Sequence, residues 1–221
     1  MKQMTFFALL ACLCTSVRGN AQKSNIILSI EGAPSVRWST GNTFIKEFHY
    51  PTLGFYGGIT AQIPLAKRWS VVTGVGFEHK GSVVKFETTD FNAVVTGKAN
   101  IYYNLDYLTM PILIRASFGK KIKYYFNAGF YYSYLLAAGS TTNNSNNLPN
   151  YKENHKSITK SSDVGASIGG GIRIKIAPKW TMPIEIRSNH GFLNISKPPV
   201  INNGSIRTNA TNLIVGLSYE L

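Results

Sequence analysis

The side chains able to do chemistry begin with charges of both signs that recur at alternating positions inside otherwise apolar segments: Glu31, Glu78, Arg115, Arg173, Glu185 and Arg187. Arg37, Gln62, Lys80, Lys175 and Glu220 share that face. Ionic groups withdrawn from water are tolerated only when paired, so the set reads as a structural network plugging an interior, with a narrow ion path as the alternative. A second pair, Ser188 and His190, stands two residues apart on the opposite face and has the types of a nucleophile and its base. No matching acid is evident, so no catalytic residue is assigned. His49, His79, His155 and His190 lie without close metal-ligand spacing. Gly74-Val75-Gly76 and Gly169-Gly170-Gly171 lack both the full spacing of a phosphate loop and a following helix, and read as curvature positions of a sheet. No metal and no cofactor are expected.

Such side chains need strands to hold them, and the hairpin Tyr107 to Leu136 shows how. In its first arm Leu108, Met110, Ile112, Ile114, Ala116 and Phe118 share one face while Tyr107, Thr109, Pro111, Arg115 and Ser117 fall largely on the other, the two-residue period of a strand. Eight segments read this way: about 25–38, 53–65, 69–80, 106–118, 122–137, 162–176, 180–190 and 207–221. The second, fourth and sixth connections are short, at Ala66 to Arg68, Gly119 to Lys121 and Ala177 to Lys179. The others are long and polar, and the fifth contains the Thr- and Asn-rich run Ser140 to Asn150. Short turns at one end and long loops at the other describe an up-and-down barrel with periplasmic turns and extracellular loops.

A soluble eight-stranded barrel would show the same count, so the glycines decide which face is inside. Gly58, Gly74, Gly76, Gly129, Gly165, Gly169, Gly171 and Gly216 share the charged face, which suits a narrow, ion-paired lumen with little room for side chains. The apolar face then meets lipid. The fold class is all-β, an eight-stranded antiparallel up-and-down transmembrane β-barrel. Trp69, Tyr124, Phe126 and Trp180 begin rising strands, while Phe118 and Tyr219 end descending ones, forming an inner aromatic girdle. Proline removes a ladder donor, so a bulge or an unpaired position is expected at Pro111.

The first 21 residues have the form of a signal peptide: Lys2, an apolar run from Met4 to Val17, and small Gly19 and Ala21 before Gln22. Leu9-Leu10-Ala11-Cys12 resembles a lipoprotein signal but leaves a very short apolar region. The barrel domain is then 22–221. Both cysteines, Cys12 and Cys14, leave with the signal, so the mature chain has no disulfide or thiol chemistry. Removing Lys2 and Arg18 takes the basic count from 23 to 21 against 10 acids, a net charge of +11. That charge suits anionic lipid, and no basic helix or nucleic-acid motif points to nucleic acid.

The stretch Tyr107-Leu108-Thr109-Met110-Pro111-Ile112-Leu113-Ile114 resembles a strand of the PorT-like outer-membrane β-barrel domain family of Bacteroidetes. Gly54-Phe55-Tyr56-Gly57-Gly58 with Pro64-Leu65, Phe77 to Ser82, and Asp163-Val164-Gly165 to Gly171 are similar to further strands of that family. Leu221 departs from its usual terminal aromatic residue. The resemblance implies an eight-stranded barrel in the bacterial outer membrane, some of whose relatives serve secretion machinery. The expected role is structural or interactive, through long extracellular loops, by a monomer without enzymatic activity. Outer-membrane lipids, lipopolysaccharide at the loop lysines, and protein partners at the loops are the expected contacts. A lipid A deacylase-like esterase built on Ser188 and His190 is the enzymatic alternative, although in those enzymes the histidine precedes the serine.

Overall fold

A strand in contact with lipid must bond every backbone group to a neighbouring strand, and this chain satisfies that demand by closing its sheet. The computed structural model describes residues 25–89, 92, 94–120, 122–144, 151–200 and 204–221. The expected signal, Lys121 and most of the run to Asn150 lie outside the described residues.

Eight strands form the ring: β1 (Ile27–Gly41), β3 (Thr52–Pro64), β4 (Trp69–Thr89), β5 (Val95–Phe118), β6 (Ile122–Asn144), β8 (Ser162–Lys175), β9 (Trp180–Gly191) and β10 (Ile206–Glu220). Each pairs antiparallel with its neighbours, and β1 against β10, from Ile27↔Glu220 to Gly41↔Ile206, closes the circle. Three small elements belong to the long connections: a helix α1 (Thr43–Phe48), β2 (His49–Tyr50) paired with β4, and β7 (Tyr151–Asn154) paired with β6. Sequence periodicity does not reveal α1, a single turn started by Asn42, whose Oδ1 accepts from the amide of Ile45 at 3.1 Å.

Two connections differ from the sequence expectation. β4, β5 and β6 run for 21, 24 and 23 residues, whereas a transmembrane strand needs only about 9–11. The third connection is therefore a hairpin extension, with pairing continuous from Gly81↔Asn104 to Thr88↔Gly97. Gly81 looks like a strand end in the sequence, but at φ +125° it takes a conformation open to glycine and lets the ladder continue. The start of the Thr/Asn-rich run is likewise strand, because Gly139 to Thr142 pair with β7 on one side and Ser140 to Asn144 with β5 on the other.

Three of the strand prolines each interrupt one ladder. Pairing of β4 with β5 lapses between Thr73↔Ile112 and Gly76↔Thr109, beside Pro111, while Pro111↔Tyr131 remains aligned on the β6 side. Pro34 coincides with a lapse in the β1–β10 ladder and Pro183 with one in the β9–β10 ladder. Pro111 is thus the locally unpaired position expected from a missing N–H. The bulge lies four residues away, between Asp106 and Tyr107.

Alternation divides the strands into two faces. Leu28, Ile30, Phe55, Ile59, Ile112, Phe130, Ile186 and Val215 are exposed on the outer wall, while Ser29, Thr60, Arg115, Asn127 and Ser218 are buried inside. Glycine makes the interior narrow enough to fill. A Cβ on Gly76 would lie 2.6 Å from the Tyr56 ring, and one on Gly58 would lie 2.8 Å from the Tyr56 hydroxyl and from Gly76 Cα. The Tyr56 side chain therefore lies across a floor of two paired glycines. A Gly76→Val substitution overpacks this floor and is expected to cost about 1–3 kcal/mol. Urea unfolding of the refolded barrel should show a lower midpoint than wild type; an unchanged midpoint would refute this packing.

Candidate functional site

The inward positions assemble two stacked polar layers. In the lower layer, nearer the short turns, Glu185 is the hub. Its Oε2 accepts from Arg115 Nη2 at 3.0 Å, and its Oε1 accepts from Arg187 Nε at 2.6 Å and Asn127 Nδ2 at 2.8 Å. Arg187 also approaches Glu31 at 3.6 Å, and Glu31 accepts from the Thr60 hydroxyl at 2.8 Å. Gln62 Oε1 takes bonds from Arg115 at 3.1 Å and Arg173 at 2.6 Å, and Arg115 lies 3.9 Å from the Tyr125 ring centre.

Lys80 is the hub of the upper layer. Its ammonium lies 3.1 Å from Asp163, 3.5 Å from Glu78 and 4.0 Å from the Tyr131 ring centre, with no solvent exposure on any of the three charged side chains. Asn189, Asn212 and Thr109 donate to Glu78 at 2.7, 3.0 and 3.0 Å. Thr208 and Tyr131 donate to Asp163 at 2.7 and 3.1 Å. Glu31, Glu78, Asp163 and Glu185 thus face Lys80, Arg115, Arg173 and Arg187, so the formal charges of the two layers cancel. Above them Arg37 is satisfied by neutral groups, donating to Leu53 O at 3.0 Å and to Asn104 Oδ1 at 2.8 Å.

All six charges singled out in the sequence are buried within these layers. Lys175 and Glu220, on the same face, lie exposed at the rim. Sequence reasoning omits Asp163, although it shares the parity of Gly165, Gly169 and Arg173 on its strand. It also omits the interior tyrosines Tyr56, Tyr125 and Tyr131, because strand aromatics suit either face, whereas Tyr107 lies inside as its parity with Thr109 and Arg115 predicts.

The outer wall holds the remaining candidates. Trp69, Phe118, Tyr124, Phe126 and Trp180 are exposed at the short-turn end, and Tyr219 is half-buried with its ring 4.8 Å from Trp180. Trp69 and Phe126 flank the same residue, Ala116, while Phe118 pairs with Tyr124 and Trp180 with Tyr219. Ser188 Oγ lies 3.0 Å from His190 Nε2 and 2.9 Å from Thr211 Oγ1, and the His190 ring meets Trp38 edge-on at 6.0 Å. No carboxylate contacts His190 among the described residues.

At the long-loop end the structure joins histidines that the sequence separates. His49 Nδ1 is 2.8 Å from Ser82 Oγ, and His155 Nε2 is 2.9 Å from Ser140 Oγ. Ser82, Tyr103 and Ser140 are neighbours across three strands, so the two imidazoles flank the Tyr103 ring at 5.5 and 6.1 Å. Burial lowers the pKa of His49 and favours its neutral form. Among the described residues no group of three or more His, Cys, Asp and Glu side chains is gathered to hold a metal ion. No described helix is long and apolar enough to cross a membrane.

A closed ring with an apolar exterior, a charged and filled interior, and short turns at one end is a transmembrane β-barrel. The chain belongs to the outer membrane protein beta-barrel domain family, whose model matches residues 20–197, and its location is the bacterial outer membrane. None of the curated proteins matches it in sequence. Similar solved structures include Neisserial surface protein A, 9% identical over 88% of this chain and 97% of that one, with a TM-score of 0.44. Ail, the attachment invasion locus protein of Yersinia pestis, is 10% identical over 90% and 99%, with a TM-score of 0.41. A major outer membrane protein from Thermus thermophilus is 12% identical over 89% and 99%, with a TM-score of 0.48.

Removing Lys80 leaves Glu78 and Asp163 buried without their cation. Lys80→Met is expected to destabilise the barrel by about 3–5 kcal/mol, the usual cost of an orphaned buried charge. Adding Asp163→Asn to Lys80→Met should recover part of that loss. Denaturant unfolding checks both, and a single variant as stable as wild type would show that the upper layer is not ion-paired.

Proposed function

We propose that the protein is a monomeric, non-conducting barrel that serves as a structural or interaction protein through its extracellular strand extensions and loops. The observation that carries this reading is the contrast between the two ends of the interior. The lumen is filled by ion-paired and hydrogen-bonded charges packed among tyrosine rings, whereas β4, β5 and β6 continue well past a membrane's thickness. The ring of Trp69, Phe118, Tyr124, Phe126, Trp180 and Tyr219 serves as the inner interfacial anchor in this reading.

Basic loop residues supply contacts to lipopolysaccharide phosphate groups, though not all of them are equally available. Lys156 and Lys197 donate to Leu136 O and Ser157 O at 2.7 and 2.8 Å and so fasten loops. Lys46, Lys152 and Lys160 are exposed and better suited to phosphate. The PorT-like character of the Tyr107 to Ile114 strand supports a narrower role beside secretion machinery. Catalysis is not part of the proposal. Ser188 shares its hydroxyl with both His190 and Thr211, and without a carboxylate to orient the imidazole the pair is a polar contact of the outer wall.

Planar-bilayer recording with the purified barrel should show no single-channel steps; reproducible steps abolished by boiling would overturn the plugged lumen. Deleting the gene should leave the lipid A mass spectrum unchanged, and newly retained acyl groups would instead support the esterase. In the same strain, loss of proteins from the surface and medium would support the secretion role, and an intact surface proteome would remove it.

A further inference from the structure

The long-loop end forms a half-open cavity of about 420 Å³, within the roughly 300–1,000 Å³ typical of small-molecule sites. Its walls are tied together rather than loosely draped. Lys160 N donates to Ile195 O at 2.7 Å, Lys197 N to Ile158 O at 2.9 Å and Ile195 N to Ile206 O at 2.9 Å, while Thr159 bridges to Ser196. Beneath it Leu105, Tyr107, Leu135, Ala138 and Ile195 form an apolar cluster, which separates the cavity from the charged layers below.

The lining has two poles. One is apolar, formed by Ile45, Ile158, Ile195, Pro198 and Ile206. The other is a chain of neutral hydrogen-bonding groups in which Ser39 Oγ lies 3.0 Å from Ser82 Oγ and Ser82 Oγ lies 2.8 Å from His49 Nδ1. His49 Nε2 has no partner among the described residues and lies at the edge of the row His49, Tyr103, His155. Lys, Arg, Asp and Glu are absent from the described lining. An anionic headgroup would find no counter-charge there. A sugar would find few free hydroxyl partners, because Ser39, Ser82, Thr159 and Ser196 already bond one another, His49 or backbone carbonyls, and the Tyr103 ring is already flanked by imidazoles.

We propose that this cavity binds a small neutral amphiphile, a molecule with an apolar body and a single hydroxyl, carbonyl or amide end, the polar end directed at His49 and Ser82. The proposal rests on the reading that the long-loop end is the working face of a closed barrel. The conductance measurement tests that reading separately, so failure of either can be recognised.

The four histidines provide the test, because His49 and His155 line the cavity while His79 and His190 lie on the outer wall. Barrel in phosphatidylcholine nanodiscs, with 13C-labelled histidine, is titrated with octanol and 1-naphthol as neutral probes, octyl sulfate as the charged analogue and glucose as the polar one. Saturable shifts of the His49 and His155 resonances with the neutral probes alone are expected. Ile158→Trp, at a half-exposed lining position, should weaken them at least tenfold while leaving the boiled and unboiled gel mobilities as in wild type. Equal shifts at all four histidines would mean partition into lipid, equal binding of octyl sulfate would mean nonspecific detergent contact, and no saturable shift would mean an inert cavity. Each of these overturns the proposal.

Discussion

The ladder between β1 and β10 is the constraint on which everything else rests. Without it the first and last strands would present rows of unbonded amides and carbonyls to hydrocarbon, at several kcal/mol for each group. Closing eight strands fixes a small circumference, and that circumference dictates what the interior can hold. Long side chains fit only where glycine yields space, as Gly58 and Gly76 do beneath Tyr56. The charges are therefore a consequence of closure as much as a device of function. A narrow polar interior excludes bulk water, and it must then supply its own counter-ions.

The two hubs solve that problem with different chemistry. Glu185 accepts from two guanidinium groups whose planar donors reach separate acceptors across the ring. Lys80, a compact cation, is held by two carboxylates and a tyrosine face. Amides from Asn127, Asn189, Asn212 and Gln62 occupy further carboxylate and guanidinium positions. Partial removal is costly because each member satisfies several others. Such a plug ties strands that are not adjacent in the ring, as when Gln62 of β3 meets Arg173 of β8.

Much of this was legible in the sequence, for a physical reason. A period of two survives any difference in strand length, so alternation separates the two faces, the glycines shared with the charges mark the inner one, and the eight strands and the six named charges follow from that. What alternation cannot supply is the partner across the lumen. Gln62 and Arg173 are 111 positions apart, and only closure and stagger bring them together. Strand length was hidden for another reason. Gly81 and the Thr/Asn-rich run have local preferences for turns, yet a waiting ladder overrides such preferences when each new residue gains backbone bonds on its neighbour. The site at the mouth was least legible, because His49 and His155 reach Tyr103 only through serines on two different strands.

The apolar cluster around Tyr107 and Leu135 gives the molecule its division of labour. Below it, the eight buried charges of the two layers balance in sum and side chains take up the space. Above it, the chain folds back through α1, β2, β7 and the segment around Ile195 to build walls that contribute nothing to spanning the membrane. Backbone bonds such as Lys160 to Ile195 and Lys197 to Ile158 would be needless in loops that merely connect strands. Their effect is to hold Ile158 and Ile195 beside the His49–Tyr103–His155 row at a fixed distance, and fixing a cavity before any ligand arrives removes an ordering cost from binding. The barrel thus acts as a rigid mount for these walls.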